Sequence, residues 1–161
     1  MSDANPFIFR RAVVALSGDP VDGACVRLAI ETAHHARRGD AEIVGVHVIQ
    51  IAWSMPLDAD LTREYDESQY ILDAADQKAD EAHLKMRTVL VQSRSVGAAV
   101  VDEASACDAD LIIIGLPARS RSMSSGESVG HVAAYVLRHA PCAVWVVREP
   151  LAADRPTTAG L

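Results

Sequence analysis

The stretch that decides the fold runs from Asp108 to Val147 and reads DADLIIIGLPARSRSMSSGESVGHVAAYVLRHAPCAVWVV. An apolar run, LIII, leads to Gly115 and a serine-rich loop. Apolar residues then recur at helical spacing in VAAYVL, and a second apolar run, AVWVV, closes the stretch. Strand, glycine turn, polar loop, helix and strand, in that order, are the layout of a phosphate-binding turn in an α/β protein.

The rest of the chain repeats this alternation of apolar runs with helical patterns. Further strands are predicted at Ala12–Leu16, Ala41–Ile49 and Thr88–Gln92, and further helices around Cys25–Ala36, Glu64–Met86 and Gly97–Cys107. Strands that are apolar throughout and alternate with helices favour a parallel sheet covered on both faces. We therefore expect an α/β fold, a five-stranded parallel sheet with helices on both faces, in a Rossmann-like three-layer sandwich.

Parallel strands connected in this way place their carboxyl ends at one edge of the sheet, where ligands usually bind. Three segments are expected to meet there, and they are Leu16–Pro20, Ile49–Trp53 and Gly115–Gly130. This edge is the predicted functional site.

Length and charge restrict the class of protein. A chain of 161 residues fits one domain, and its net charge of −7 disfavours a nucleic-acid partner. The three cysteines form no CxxC pair, and no apolar run is long enough to span a membrane. We expect a cytoplasmic domain with no membrane partner and no metal site.

The chain resembles the universal stress protein family, most clearly in DADLIIIG at Asp108–Gly115 and VLRHAPCAVWVVRE at Val136–Glu149. The resemblance implies the sandwich of the adenine nucleotide alpha hydrolase-like group. It also implies a universal stress protein domain at 11–149, preceded by an extension at 1–10. The segment 150–161 is rich in Pro, Thr and Ala, and this composition predicts a disordered tail.

In the nucleotide-binding branch of that family, the turn after strand four reads Gly-x-x-Gly, nine residues, then Gly-Ser/Thr, and it holds the phosphates of ATP. Gly115 matches the first glycine, but Ala118 stands at the second. Gly130 matches the third glycine after a loop of eleven residues, 119–129, and His131 stands at the hydroxyl position. The resemblance implies a nucleotide motif that is altered here.

The family also carries an Asp after strand one, where this chain has Ser17, directly after Leu16. Arg119 lies in the serine-rich loop, where its guanidinium suits contact with a phosphate, although a solvated loop needs no ligand to explain it. The candidate binding residues are therefore Leu16, Ser17, Gly115, Ala118, Arg119, Gly130 and His131.

Two hypotheses of function remain open. The first is a stress-response regulatory domain that has an altered or lost ATP site and works through dimerisation and partner contact. The second is a stress protein that binds ATP or AMP, with slow hydrolysis at most. No catalytic constellation is recognisable in the sequence, so we favour a role that is not enzymatic, and no cofactor is assigned with certainty.

The last strand is the predicted dimer surface. Members of the family often dimerise through it, so the resemblance implies a homodimer through Ala143–Val147. An exposed hydrophobic edge needs such pairing. The alternative is that Trp145 packs in the core under the fourth helix.

Overall fold

The computed structural model describes residues 9–36, 40–56, 58, 60–117 and 130–149. Strands and helices alternate along the chain, and their bounds are β1 (Arg11–Leu16), α1 (Val21–His35), β2 (Glu42–Gln50), α2 (Thr62–Glu81), β3 (Met86–Ser93), α3 (Val96–Ala106), β4 (Leu111–Leu116), α4 (His131–His139) and β5 (Ala143–Arg148).

All five strands pair in parallel, in the order β3-β2-β1-β4-β5, so the predicted fold class is confirmed. The chain builds outward from β1 to β2 and β3, and then crosses back to place β4 on the other side of β1. The strand order therefore reverses between β1 and β4. In open α/β sheets, ligands bind at the carboxyl ends of the two strands at such a point.

Two cores cover the two faces of the sheet. On one face, α1 and α2 pack against a cluster that includes Val14, Cys25, Leu72 and Ile113. On the other face, α3 and α4 pack against a second cluster, which includes Val13 and Val136. The alternation of side chains along each strand divides β1 and β4 between the two clusters, since neighbouring residues of a strand point to opposite faces.

The end of α2 differs from the sequence-based prediction. A helix was expected to reach Met86, but α2 ends at Glu81, and Met86 is the first residue of β3. The chain turns at His83, whose φ is +58°. The amide of His83 donates to the carbonyl of Asp80 and that of Leu84 to the carbonyl of Ala79, each at 2.9 Å, which is the Schellman arrangement. No glycine marks this stop, because the left-handed position is taken by a histidine.

None of the described helices combines the length and the hydropathy needed to cross a bilayer. Among the described residues, no group of three or more His, Cys, Asp and Glu side chains is arranged to hold a metal ion.

Candidate functional site

Five of the predicted site residues, those that the structure describes, lie at the carboxyl edge where β1 and β4 run side by side. Ala15 pairs with Ile114, so Leu16, the last residue of β1, lies beside Gly115, the second-last residue of β4. Leu16 is buried, and Ser17 directly after it is exposed. The structure therefore places the β1 half and the first glycine of the predicted site together.

The start of α4 belongs to the same edge. Because α4 leads back to the beginning of β5, it runs opposite to the strands, and Gly130 and His131 lie at its carboxyl-edge end. Gly130 is the N-cap, with φ −60° and ψ 155°, and gives no side-chain cap to the helix. Ala118 and Arg119 were also predicted site residues, and they lie outside the described residues.

The two motif glycines that the structure describes differ in their surroundings. A Cβ on Gly115 would lie 2.6 Å from Cγ1 of Val21 and 3.1 Å from Sγ of Cys25, both in α1. Gly115 is therefore required by the close packing of α1 on β4. Among the described residues, no atom lies within 4 Å of a Cβ placed on Gly130. The described part of the fold therefore does not require a glycine at 130.

Asp22 is the functional-edge residue that the sequence reasoning missed. Its carboxylate accepts hydrogen bonds from the backbone amides of Ser17, at 3.0 Å, and Gly18, at 2.7 Å. The Ser17 hydroxyl lies 3.1 Å from the same carboxylate and 3.2 Å from that of Asp19, so its single proton serves one acid at a time. The signal in the sequence was an acid in the first turn of a helix that follows a Ser-Gly-Asp-Pro turn.

This carboxylate changes what the β1 turn can bind. The amides of Ser17 and Gly18 point at Asp22, so the donors that an incoming anion would use are already satisfied. Asp19 adds a second negative charge within a few residues. Like charges repel, and the turn after β1 therefore disfavours a phosphate close to it.

His47 also reaches this edge. The residue is partly buried, and its Nδ1 lies 2.8 Å from the carbonyl oxygen of Leu16. A carbonyl oxygen only accepts, so Nδ1 carries the proton. His47 thus ties the last residue of β1 to β2.

The loop after β2 carries an exposed aromatic side chain. Trp53 is 83% exposed, and the guanidinium of Arg94 lies 4.9 Å from its ring centroid. The same guanidinium donates to the carbonyls of Ala52, at 3.0 Å, and Met55, at 3.1 Å. Arg94 therefore links the loop after β2 to the loop after β3, a contact that the sequence pattern did not indicate.

The first prediction separates the two motif glycines. We expect Gly115→Ala to lower the free energy of unfolding by about 1–3 kcal/mol, since it overpacks the contact with α1. Gly130→Ala should cost less than about 1 kcal/mol, because only the helix cap changes. Urea denaturation of both variants measures the difference.

Val21→Ala supplies the control for this prediction, because it removes the side chain that the new Cβ would meet. In a double-mutant cycle, it should offset part of the cost of Gly115→Ala and none of the cost of Gly130→Ala. Additive effects at Gly115 and Val21 would contradict the packing role.

The second prediction concerns pH. Burial raises the pKa of Asp22 above its ordinary value, although the donors from Ser17 and Gly18 act to lower it. An acid with a raised folded-state pKa stabilises the fold fully below its unfolded pKa of about 3.9, and this contribution is lost as pH rises through the folded pKa. The stability of the native protein relative to Asp22→Asn should therefore fall across that window. Urea denaturation of both proteins at a series of pH values tests this. A native protein that gains stability relative to Asp22→Asn as pH rises would contradict it.

Comparison with known proteins identifies relatives of this architecture. Residues 8–148 match the sequence model of the Universal stress protein family. A search of curated protein sequences finds no match. Among solved structures, the universal stress protein UspA of Lactobacillus plantarum is similar, at 24% identity and a TM-score of 0.68, over 86% of this chain and 97% of that one.

Two further solved structures are complexes with a nucleotide. A universal stress protein family protein of Arabidopsis thaliana with AMP bound shares 16% identity at a TM-score of 0.65, over 89% of this chain and 96% of that one. The universal stress protein of Archaeoglobus fulgidus in complex with dAMP shares 22% identity at a TM-score of 0.62, over 84% and 95%. These likenesses show the fold, and the match over residues 8–148 shows that the chain belongs to the Universal stress protein family.

Proposed function

We propose that this chain is a stress-response regulatory domain that works as a homodimer and in which ATP binding is altered or lost. The observation that carries this proposal is the internal carboxylate of Asp22 on the amides of Ser17 and Gly18. It leaves the β1 side of the edge acidic and without free amide donors at these two positions. Gly115, the first glycine of the motif, is explained by the packing of α1 and so gives no support to phosphate binding.

The sequence of the motif supports the same proposal. Ala118 stands where the nucleotide-binding branch has glycine, and a Cβ there restricts the positive φ and the close backbone approach that glycine allows. His131 replaces a hydroxyl by a larger ring at the first position of α4. The phosphates of ATP would meet a different shape and a different set of donors at both positions.

A second candidate function is the binding of AMP or ATP, and one observation favours it. Gly130, the N-cap of α4, has no side chain to cap the helix, and none of the described atoms lies within 4 Å of a Cβ placed there. The first amides of a helix, together with its dipole, suit a phosphate. The relatives from Arabidopsis thaliana and Archaeoglobus fulgidus, with AMP and dAMP, support this candidate by analogy of fold.

The third prediction decides between the two candidates by calorimetric titration with ATP and AMP. We expect the native protein to show no saturable ATP binding at concentrations of about 1 mM, which corresponds to a binding free energy weaker than about −4 kcal/mol. Ala118→Gly combined with His131→Ser restores two family positions and should strengthen ATP binding.

Gly130→Val tests the second candidate directly. Its side chain adds bulk beside the first amides of α4, where it meets none of the described atoms, and the local φ and ψ accept any residue. Micromolar ATP or AMP binding by the native protein that Gly130→Val abolishes would contradict the loss of the site. Ala134→Val, an exposed change one turn into α4, is the control for helix stability.

The proposed dimer surface is the outer edge of β5. Within the described sheet, β5 pairs only with β4, and Val146 on this strand is 39% exposed. Trp145 is half-buried against the cluster on the α1 face, so the alternative that placed it under α4 names the wrong face of the sheet. An edge strand with exposed apolar side chains is stabilised by pairing with a second strand.

The fourth prediction tests this edge. Val146→Lys places a charge on β5 and should shift the protein from dimer to monomer in sedimentation velocity. Thr88→Lys is the matched control, since it places the same charge on β3, the opposite edge of the sheet, and should leave the mass unchanged. A native protein that sediments as a monomer would contradict the proposal.

A further inference from the structure

A groove lies between α1 and α2, beside the turn that follows β1. Its volume is about 230 Å³. The apolar part of its lining consists of Leu16, Val26, Ile71, Ala74 and Ala75. The groove is on the face of the sheet that α1 and α2 cover, while α4 and its amino terminus pack on the other face. It therefore lies on the opposite face of the sheet from the start of α4 at Gly130.

Two glycines line the groove, and their lack of side chains keeps it open. Gly18, in the turn after β1, has φ +91°, and a Cβ there would lie 2.9 Å from Cδ1 of Ile71. Gly23 lies in the first turn of α1, where glycine costs helix stability, and a Cβ there would lie 3.1 Å from Nζ of Lys78. The side chain of Lys78 thus extends from α2 to the first turn of α1.

The mouth of the groove carries charges of both signs. Asp19 and Lys78 both line it, and Tyr70 stands at the rim with 77% of its side chain exposed. Within the described ranges, neither Asp19 nor Lys78 has an ion-pair partner within 4 Å. Asp22 also lines the groove, and its carboxylate accepts hydrogen bonds from the amides of the β1 turn. Among the described residues, the Asp19 carboxylate accepts only from the Ser17 hydroxyl, so one carboxylate and one ammonium without an ion-pair partner lie beside the apolar lining.

Size and charge together define the occupant. Pockets for drug-sized ligands measure about 300–1,000 Å³, so a groove of about 230 Å³ suits a smaller molecule. An ammonium group pairs with Asp19 and is attracted to the ring face of Tyr70, whereas a carboxylate pairs with Lys78. An apolar side chain attached to the same carbon covers Ile71 and Ala75.

We infer that the groove between α1 and α2 binds a free α-amino acid with an apolar side chain. Complementarity of charge carries this inference, since a zwitterion is the small-molecule class that satisfies Asp19 and Lys78 at once. Leu16 is the one lining residue that is also a candidate nucleotide-binding residue, and no lining residue belongs to β5 or to the start of α4. The inference therefore depends neither on nucleotide binding nor on the dimer.

The test is a titration of the ¹⁵N-labelled protein with L-phenylalanine, followed by amide chemical shifts. We expect saturable shifts centred on Gly18, Gly23 and Ile71. Phenethylamine lacks the carboxylate and 3-phenylpropionate lacks the ammonium, and both should bind at least about tenfold more weakly, a loss of about 1.4 kcal/mol. No saturable shift at about 10 mM, or shifts centred on Gly115 and Gly130, would overturn the inference.

Matched variants make the result specific to the groove. Lys78→Gln and Asp19→Asn should each weaken L-phenylalanine binding at least about tenfold. Their controls are Lys85→Gln, the chain's other lysine, and Asp73→Asn, and both residues lie outside the groove lining. If the two controls weaken binding as much as the groove variants do, the inference is wrong.

Ala74→Phe blocks the groove without a change of charge. Ala74 is exposed, so the larger side chain costs the fold little while it covers the floor. This variant should abolish the shifts, and thermal unfolding monitored by circular dichroism verifies that it is folded. Unchanged L-phenylalanine binding by the folded variant would place the ligand elsewhere and overturn the inference.

Discussion

The carboxylate of Asp22 is the contact on which the functional edge depends. It accepts the amides of Ser17 and Gly18 and so fixes the path of the chain from β1 into α1. With that path fixed, Val21 and Cys25 lie against Gly115, and α1 packs on β4 at a distance that only glycine permits. One partly buried acid thus sets the position of a helix, the identity of a motif glycine and the sign of the charge at the edge.

The surroundings of the two motif glycines explain why the glycine spacing alone is a weak guide to nucleotide binding in this protein. A glycine at the end of a strand is equally a sign of phosphate approach and of close helix packing, and Gly115 serves the second purpose. Gly130 is the opposite case, because no described residue near it requires a glycine. The two positions look equivalent in the motif, and only their neighbours in space separate them.

The two faces of the sheet have different chemistry near this edge. The face of α1 and α2 offers an apolar groove with Asp19 and Lys78 at its mouth. On the face of α4, the helix begins at Gly130, which has no side chain to cap it. The described part of the domain therefore has a concave surface between α1 and α2 in addition to the edge where β1 and β4 run side by side.

The sequence by itself determined the fold class and the family, since apolar strands alternating with helical stripes permit few other architectures and the segment 108–149 is distinctive. It also placed Leu16, Ser17, Gly115, Gly130 and His131 at one edge. It missed the end of α2, because a histidine takes the left-handed position that glycine usually signals.

Only the tertiary structure showed that Asp22 folds back onto the β1 turn, that Gly115 meets α1 and that Lys78 reaches Gly23. These contacts join residues of different helices, strands and turns. Their distances follow from how the helices pack on the sheet, which no local pattern of residues encodes.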